Sequence, residues 1–264
     1  MNPDLASLAV TTSNPNLMDY AETLAKELEL PFILKSFQKE NAKFDYFLVF
    51  TGPAKMDYQL ELVANEKPYP SICVDFTTGK TAYRIRQASS VSQPLAKAIG
   101  LKQGKRPHII DATAGMGRDA AVLAHLGSQI HLIERSPVMA ALLEDGLRRL
   151  ALSPHNKDNI YNRMQLSKGD AKLLIPGIAP IDVIYLDPMY PKHGKQALVK
   201  KEMRFTRNIV GNDPDINELF AIALSYAQQR VVVKRPRLAP TLSERSPSHA
   251  IYSKNTRYDV YITS

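Results

Sequence analysis

The feature that most constrains the fold of this chain is a regular alternation of apolar, strand-sized segments with helical segments, which begins near Pro94. Parallel strands need crossover connections, usually helices, so this alternation predicts a mostly parallel, doubly wound α/β sheet. The last segment follows its predecessor without an intervening helix, and we expect these two to pair as a closing antiparallel hairpin. The apolar segments are HIIDATAG (108–115), SQIHLIER (128–135), RMQLSKGD (163–170), DVIYLDP (182–188), RVVVKRP (230–236) and YDVYITS (258–264).

The N-terminal part has a different pattern. Apolar residues at helical spacing predict an amphipathic helix over residues 16–30, ended by Pro31. Three short apolar segments separated by turn-prone residues predict strands at 46–50, 58–64 and 71–77. We therefore expect a small sheet with one or two helices.

The length of 264 residues fits one sizeable core plus an appended unit. The small, polar stretch ASSVSQ, at residues 88–93, is a suitable linker. The sequence thus predicts a small N-terminal α/β domain over residues 1–90 and a larger domain over residues 91–264.

The net charge of +8 is distributed unevenly. Residues 1–90 hold 9 basic and 11 acidic side chains, whereas residues 91–264 hold 25 and 15. A basic surface raises encounter rates with polyanions and supplies phosphate contacts, although proteins of other kinds are also basic. The charge alone leaves nucleic-acid binding and a merely solvated surface both open.

Cysteine usage and apolar run lengths indicate the compartment. The one cysteine, Cys73, cannot form an intramolecular disulfide, and no N-terminal stretch resembles a secretory signal. The longest apolar runs are well short of the roughly 20 residues that cross a bilayer. We expect a cytoplasmic protein without a membrane partner, and without a metal, since no Cys or His cluster has ligand spacing.

A glycine-rich turn follows the first strand of the larger domain, in DATAGMGRDA (111–120). Gly115 and Gly117 allow a tight turn that brings the backbone close to a ligand, while the next helix offers free N–H groups. Glu134 ends the next strand, 17 residues beyond Gly117, where a carboxylate can accept hydrogen bonds from both ribose hydroxyls. This order of elements predicts a nucleoside cofactor site.

The turn alone fits two cofactors, since GMGRDA also satisfies the dinucleotide fingerprint of NAD enzymes. Asp111 and Asp119 flank the turn, and carboxylates repel a pyrophosphate but attract a sulfonium and an ammonium group. The acids favour S-adenosylmethionine. Asp170, which ends the third strand, is placed to bond the adenine amino group, with a solvated strand-end aspartate as the alternative.

A second motif, DPMYP (187–191), ends the fourth strand beside the predicted crevice. An exocyclic amine of a nucleobase is a poor nucleophile, and its two N–H groups must be held so that the lone pair faces the methyl donor. Asp187 and the Pro188 carbonyl can accept these hydrogens, and Tyr190 can stack on the base. The arrangement resembles the D/N-P-P-Y/F motif of amino-methyltransferases, with Met189 in place of the second proline.

Basic residues follow this motif at once. The stretch 192–207 contains six Lys or Arg residues and one acid, and a basic run at the mouth of a substrate site is well placed to hold RNA phosphates. A solvated helix face is the alternative. The predicted RNA contacts are Lys192, Lys195, Lys200, Lys201, Arg204, Lys234 and Arg235, the last two in a second basic group, KRPR, that also includes Arg237.

With these motifs, the chain closely resembles the bacterial small-subunit ribosomal RNA methyltransferase J family over most of residues 90–264. The resemblance rests on the glycine turn (111–119), LIERSPVMAALLEDGL (132–147), YLDPMYP (185–191), ALVKKEMR (197–204) and VVVKRP (231–236). It implies a class I, Rossmann-like methyltransferase fold and methylation of the 2-amino group of one guanosine. The implied cofactor positions are Arg118, Asp119, Glu134, Arg135, Gly169, Asp170 and Asp187.

We therefore expect an S-adenosylmethionine-dependent enzyme acting on small-subunit ribosomal RNA or the assembled subunit. The DPMY chemistry alone also suits an adenine amine or a protein glutamine, and an NAD oxidoreductase or a non-catalytic RNA-binding protein is an alternative of another class. The N-terminal unit is expected to dock on the catalytic domain and help shape the RNA groove, without catalysis of its own.

Overall fold

A computed structural model of the chain describes residues 7–34, 43–65, 70–88, 92–154, 159–178, 180–189 and 213–263. Within these ranges the α-helices are α1 (Met18–Glu27), α2 (Gly79–Arg86), α3 (Pro94–Ile99), α4 (Arg118–His125), α5 (Pro137–Leu152), α6 (Ala171–Ile178) and α7 (Ile216–Tyr226). The strands are β1 (Leu8–Thr12), β2 (Phe32–Leu34), β3 (Tyr46–Ala54), β4 (Asp57–Ala64), β5 (His108–Asp111), β6 (Gln129–Glu134), β7 (Met164–Lys168), β8 (Ile181–Leu186), β9 (Ala227–Pro236), β10 (His249–Tyr252) and β11 (Thr256–Ile262).

The larger sheet has the strand order β10-β11-β9-β8-β5-β6-β7 among the described residues. Neighbours from β9 to β7 pair in parallel, and β11 pairs antiparallel with both β9 and β10. The mostly parallel sheet and the antiparallel pairing of the last strand with β9 confirm the sequence prediction. β10 was not predicted, because its four residues carry too short an apolar pattern.

The smaller sheet has the order β2-β1-β3-β4, with β1 between two parallel neighbours. The sequence correctly predicted α1, β3 and β4 but missed β1 and β2. The strand predicted at residues 71–77 is wrong, because only Ile72 forms a bridge, with Leu62. Asp75 ends any extended course there, since its carboxylate accepts hydrogen bonds from the backbone N–H groups of Thr77 and Thr78.

One continuous cluster of buried apolar side chains reaches from the smaller sheet to the larger one. It includes Leu48 and Leu62 from the small sheet, Phe76, Leu143 from α5 and Val232 from β9. The N-terminal unit therefore packs on the larger sheet through a shared core. The boundary at residues 88–93 stays a prediction, since 89–91 lie outside the described ranges.

No helix in these ranges combines the length and apolar character that crossing a membrane requires. The helices that flank the larger sheet are amphipathic or buried elements of its core. α5, for example, buries most of its residues and is capped by Ser136, whose Oγ accepts a hydrogen bond from Met139 N at 3.4 Å.

Gly146 offers a test of how closely α5 and the segment before α2 pack. A Cβ at this helical position would lie 2.5 Å from Val74 Cγ1 and 2.8 Å from the Val74 carbonyl oxygen, which belongs to the backbone and cannot rotate away. We expect Gly146→Ala to lower the free energy of unfolding by about 1 to 3 kcal/mol, despite the higher helix propensity of alanine.

The matched control is Gly177→Ala in α6, where no atom lies within 4 Å of the added Cβ. It should leave stability unchanged or raise it by up to about 1 kcal/mol. Chemical denaturation of both variants and the parent measures the effect. Equal stabilities for the two variants would contradict the close packing of α5 on the N-terminal unit.

Candidate active site

The carboxyl ends of four neighbouring parallel strands bring most of the predicted site residues to one edge of the larger sheet. Several hydrogen bonds link these ends. Gly115 N donates to Glu134 Oε2 at 2.7 Å, Asp187 N donates to Thr113 Oγ1 at 2.6 Å, and Gly169 N donates to the Glu134 carbonyl at 2.9 Å. The strand ends therefore form one connected frame, in the place where doubly wound sheets bind ligands.

The two glycines of the turn have different physical roles. Both adopt positive φ, 51° at Gly115 and 63° at Gly117, which glycine reaches without strain. A Cβ at Gly117 would lie 3.0 Å from Leu143 and 3.2 Å from Phe76, so this glycine allows close packing. A Cβ at Gly115 would meet only the Thr113 carbonyl oxygen, at 3.9 Å, so this side of the turn is open to a ligand.

Glu134 is buried and held by two backbone groups. Oε2 accepts the Gly115 N–H and Oε1 accepts the Ser136 N–H, both at 2.7 Å. Burial raises the pKa of this carboxyl group, and the two hydrogen bonds oppose the rise. A carboxylate has about four lone-pair sites, so each oxygen can still accept a hydroxyl hydrogen.

Asp119 lies behind the turn in a buried ionic network. Its carboxylate pairs with Arg84 at 2.6 Å and Lys234 at 2.9 Å, and accepts a hydrogen bond from the Tyr185 hydroxyl at 2.6 Å. Burial favours the neutral acid, but the two cations outweigh it and hold the pKa of Asp119 well below its usual range. Asp119 thus supports the site from inside rather than facing the open side of the turn.

Lys234 connects this network to the second motif. Its Nζ lies 2.9 Å from Asp119 Oδ2 and 2.6 Å from Asp187 Oδ2. The side chain of Asp187 is 39% exposed, and that of Lys234 is 26% exposed. Burial lowers the pKa of Lys234, but the two carboxylates outweigh this and raise it, so Lys234 stays a cation.

Two of the predicted RNA contacts have other partners in this structure. Lys234 is engaged by two carboxylates, so its charge is not available to phosphates in this arrangement. Arg235 is only 5% exposed and donates from Nε and Nη2 to the Pro240 carbonyl, at 2.9 and 2.6 Å. A charge cluster in the sequence does not show which of its members point inward.

The backbone of the DPM segment is fixed at two points. Asp187 N donates to Thr113, and Met189 N donates to Asp213 Oδ2 at 2.7 Å. The second bond holds the peptide group that contains the Pro188 carbonyl and so sets the direction of that carbonyl. Tyr190 and the predicted RNA contacts Lys192, Lys195, Lys200, Lys201 and Arg204 lie outside the described residues.

A second ionic group lies at the β6 and β7 ends of the edge. Arg135 pairs with Asp213 and, at 2.8 Å, with Asp215, which also pairs with Lys172 at 2.8 Å. Asp170 Oδ1 accepts the Lys172 N–H at 2.8 Å, which leaves its other oxygen without a backbone bond to α6. Gly169, with φ of 148°, makes the turn that brings Asp170 to the edge, and Arg118 is exposed at the start of α4.

Sequence reasoning missed several residues that hold this frame. Thr113 lies inside the glycine motif, so of these residues it was the easiest to identify from the sequence. Arg84, Tyr185 and Asp213 act over separations that no local pattern reveals. Among the described residues, no group of three or more His, Cys, Asp or Glu side chains could hold a metal ion.

Asp111 is a third buried acid of the site, and burial raises its pKa to about 8. The Thr113 N–H opposes the rise, while the nearby Asp119 and Asp187 add to it. Because the folded state retains this proton and the unfolded state loses it above about pH 4, Asp111 makes the protein less stable as pH rises toward 8.

We expect Asp111→Asn, which keeps the acceptor oxygen, to remove this dependence. Between about pH 5 and 8 the free energy of unfolding of the parent should fall, relative to the variant, by up to about 1.4 kcal/mol per pH unit. Chemical denaturation across that range measures the difference. Parallel curves for parent and variant would show that Asp111 is ionised in the folded protein.

Comparisons with known proteins agree with this geometry. The family model described as "Putative SAM-dependent methyltransferase" matches residues 35–263. The ribosomal RNA small subunit methyltransferase J of Thioalkalivibrio sulfidiphilus is 47% identical over 97% of this chain and 98% of the relative, and that of Aeromonas hydrophila is 44% identical over the same shares. A crystal structure of a SAM-dependent methyltransferase from Neisseria gonorrhoeae matches with a TM-score of 0.71 and 30% identity, over 97% of this chain and 96% of that one.

These matches decide between the two cofactors that the glycine turn left open. The matching family description and the Neisseria structure both name S-adenosylmethionine dependence. The choice of S-adenosylmethionine from the acids around the turn is confirmed, and the NAD alternative is wrong.

Proposed function

Since the chain belongs to the S-adenosylmethionine-dependent methyltransferase family whose curated members carry the name ribosomal RNA small subunit methyltransferase J, we propose that it methylates the exocyclic 2-amino group of a guanosine in small-subunit ribosomal RNA. The names of the relatives support the RNA substrate. The sequence resemblance supports the choice of guanine, and the site supports an amine acceptor.

One observation carries the proposal: the glycine turn and the DPM segment are held side by side. Asp187 N donates to Thr113 Oγ1 at 2.6 Å, and Gly115, two residues further on, donates to Glu134. A cofactor seated on the turn would therefore have the acceptor-holding residues next to it. Holding the reactants together in this way removes a large part of the activation barrier of a transfer reaction.

The residues present fit S-adenosylmethionine. Glu134 is fixed with lone pairs left for the ribose hydroxyls, Asp170 has one oxygen free of its helix cap for the adenine amine, and Gly115 leaves the front of the turn open. When bound, the cofactor supplies a methyl group on its sulfonium, and the neutral thioether that remains is a good leaving group.

The chain's part in the reaction is to position the amine. Lys234 donates a hydrogen bond to Oδ2 of Asp187, so Oδ1 can accept one amine hydrogen. The Pro188 carbonyl can accept the other. Burial raises the pKa of Asp187, and Lys234 opposes this and favours the carboxylate. With both of its hydrogens held in this way, the amine has its lone pair directed toward the methyl group.

The residues proposed to stack on the target base and to bind the phosphates around it lie outside the described ranges. Tyr190 would stack on the extruded guanine, and Lys192, Lys195, Lys200, Lys201 and Arg204 would bind phosphates around it. The small N-terminal unit would support this groove without taking part in the chemistry. Naked RNA and the assembled small subunit are both candidate substrates.

Glu134→Gln and Glu134→Ala test the cofactor site. Loss of the ribose hydrogen bonds should weaken binding of S-adenosylhomocysteine by about 1 to 3 kcal/mol, measured by titration calorimetry. Glu144→Ala is the control, because it removes an exposed carboxylate from α5. The site assignment fails if both Glu134 variants are folded and bind like the parent.

Asp187→Ala tests the acceptor role. Turnover with small subunits and labelled cofactor should fall by about 100-fold or more, because the amine is no longer oriented, while RNA binding is retained. Asp187→Asn keeps one acceptor oxygen, so its turnover should lie between that of the parent and that of Asp187→Ala. Asp19→Ala removes an exposed carboxylate that pairs with Lys55 in the N-terminal unit, and it should not change turnover.

Mapping the label gives the second readout. Small subunits, isolated ribosomal RNA and whole ribosomes that lack the modification should differ in methyl acceptance, and the label should lie on a guanine 2-amino group. Near-normal turnover of Asp187→Ala, or a methyl on a ring nitrogen or ribose hydroxyl, would refute the mechanism.

A further inference from the structure

An exposed aromatic ring lies beside an arginine at the end of the C-terminal hairpin. Tyr252, the last residue of β10, is 54% exposed. The guanidinium carbon of Arg237 lies 5.3 Å from the centre of its ring, and Arg237 Nη1 donates to the Ser253 carbonyl at 2.8 Å. The two side chains thus form a pair, the Arg237–Tyr252 pair, whose arginine is bound to a carbonyl.

This pair lies at the same edge of the sheet as the candidate active site. β10 and β9 both run antiparallel to β11, so β10 and β9 end at the same edge, as does β8. Three strand spacings separate β10 from β8, which is about 14 Å. A nucleotide bound here would be a few positions away from a base held at Asp187.

The surroundings of the pair are basic. Between residues 236 and 257 there are four Arg or Lys residues and one acid, Glu244. Arg257 is neutralised by Asp259 at 2.7 and 2.9 Å, whereas Lys254 is exposed in the turn next to Tyr252. Leu238, the residue after Arg237 in the chain, is 93% exposed and adds an apolar surface.

We propose that the Arg237–Tyr252 pair is a stacking platform for an unpaired base of the RNA substrate near the target guanosine, with Lys254 contacting a neighbouring phosphate. This inference rests on the proposed function. Proteins that recognise single-stranded RNA stack its bases on aromatic rings and on guanidinium planes. Arg237 also prepares the ring for binding, because the contact between cation and ring restricts both side chains before RNA arrives.

Tyr252→Ala, Tyr252→Phe and Arg237→Gln test the platform, with binding and methylation of the small-subunit substrate as readouts. Tyr252→Ala should weaken RNA affinity by about fivefold to 100-fold and raise KM with little change in kcat. Tyr252→Phe keeps the ring and should bind like the parent. Arg237→Gln should weaken binding, because the ring loses the cation that restricts it. Lys254→Gln removes the proposed phosphate contact and should weaken binding and reduce the slope of log affinity against log salt by about one.

Tyr226→Ala is the matched control, since this tyrosine is 37% exposed at the opposite edge, just before β9 begins. Affinity for S-adenosylhomocysteine should stay unchanged in all variants. Parent-like RNA binding by Tyr252→Ala, equal loss in Tyr252→Phe, or an effect on kcat alone would overturn the platform. Failure of the parent itself to methylate any ribosomal RNA would instead overturn the proposed function.

Discussion

The ion pairs of Lys234 are the interaction on which the rest of the site depends. One ammonium group on β9 lies between Asp119, in the first turn of α4, and Asp187, which follows β8. Without it, Asp187 would lose its cation and keep the repulsion of the nearby Asp119, and both effects raise the pKa of Asp187. Lys234 therefore favours the carboxylate form of Asp187 and joins the glycine turn to the end of β8.

The N-terminal unit contributes to the same frame. Arg84 on α2 supplies the second cation to Asp119, and Phe76 packs where a side chain at Gly117 would lie. Asp145 on α5 accepts the Leu60 N–H of the small sheet at 3.0 Å and pairs with Arg148 and Arg149. The smaller unit thus positions the cofactor turn from behind, which agrees with a supporting role and with its slightly acidic charge.

The sequence predicted the parts of this structure that local patterns encode. The parallel strands are near-continuous apolar runs because both of their faces are buried, and the turn needs glycine at Gly115 and Gly117. It misread residues 71–77, where an Asp75 turn overrides an apolar pattern, and it missed the ion pairs of Lys234. Those partners are 47 and 115 residues away in the chain, and only the strand order brings them together.

The end of β9 shows how one short basic segment can serve two surfaces. Lys234 points into the site, Arg235 is buried and bonds the Pro240 carbonyl, and Arg237 is exposed against Tyr252. The bond from Arg235 closes the loop that carries Arg237, so the loop is tied to the strand that carries Lys234. The position of the proposed RNA platform relative to Asp187 is therefore set by a single strand, which lets one rigid element align the substrate with the acceptor-holding residues.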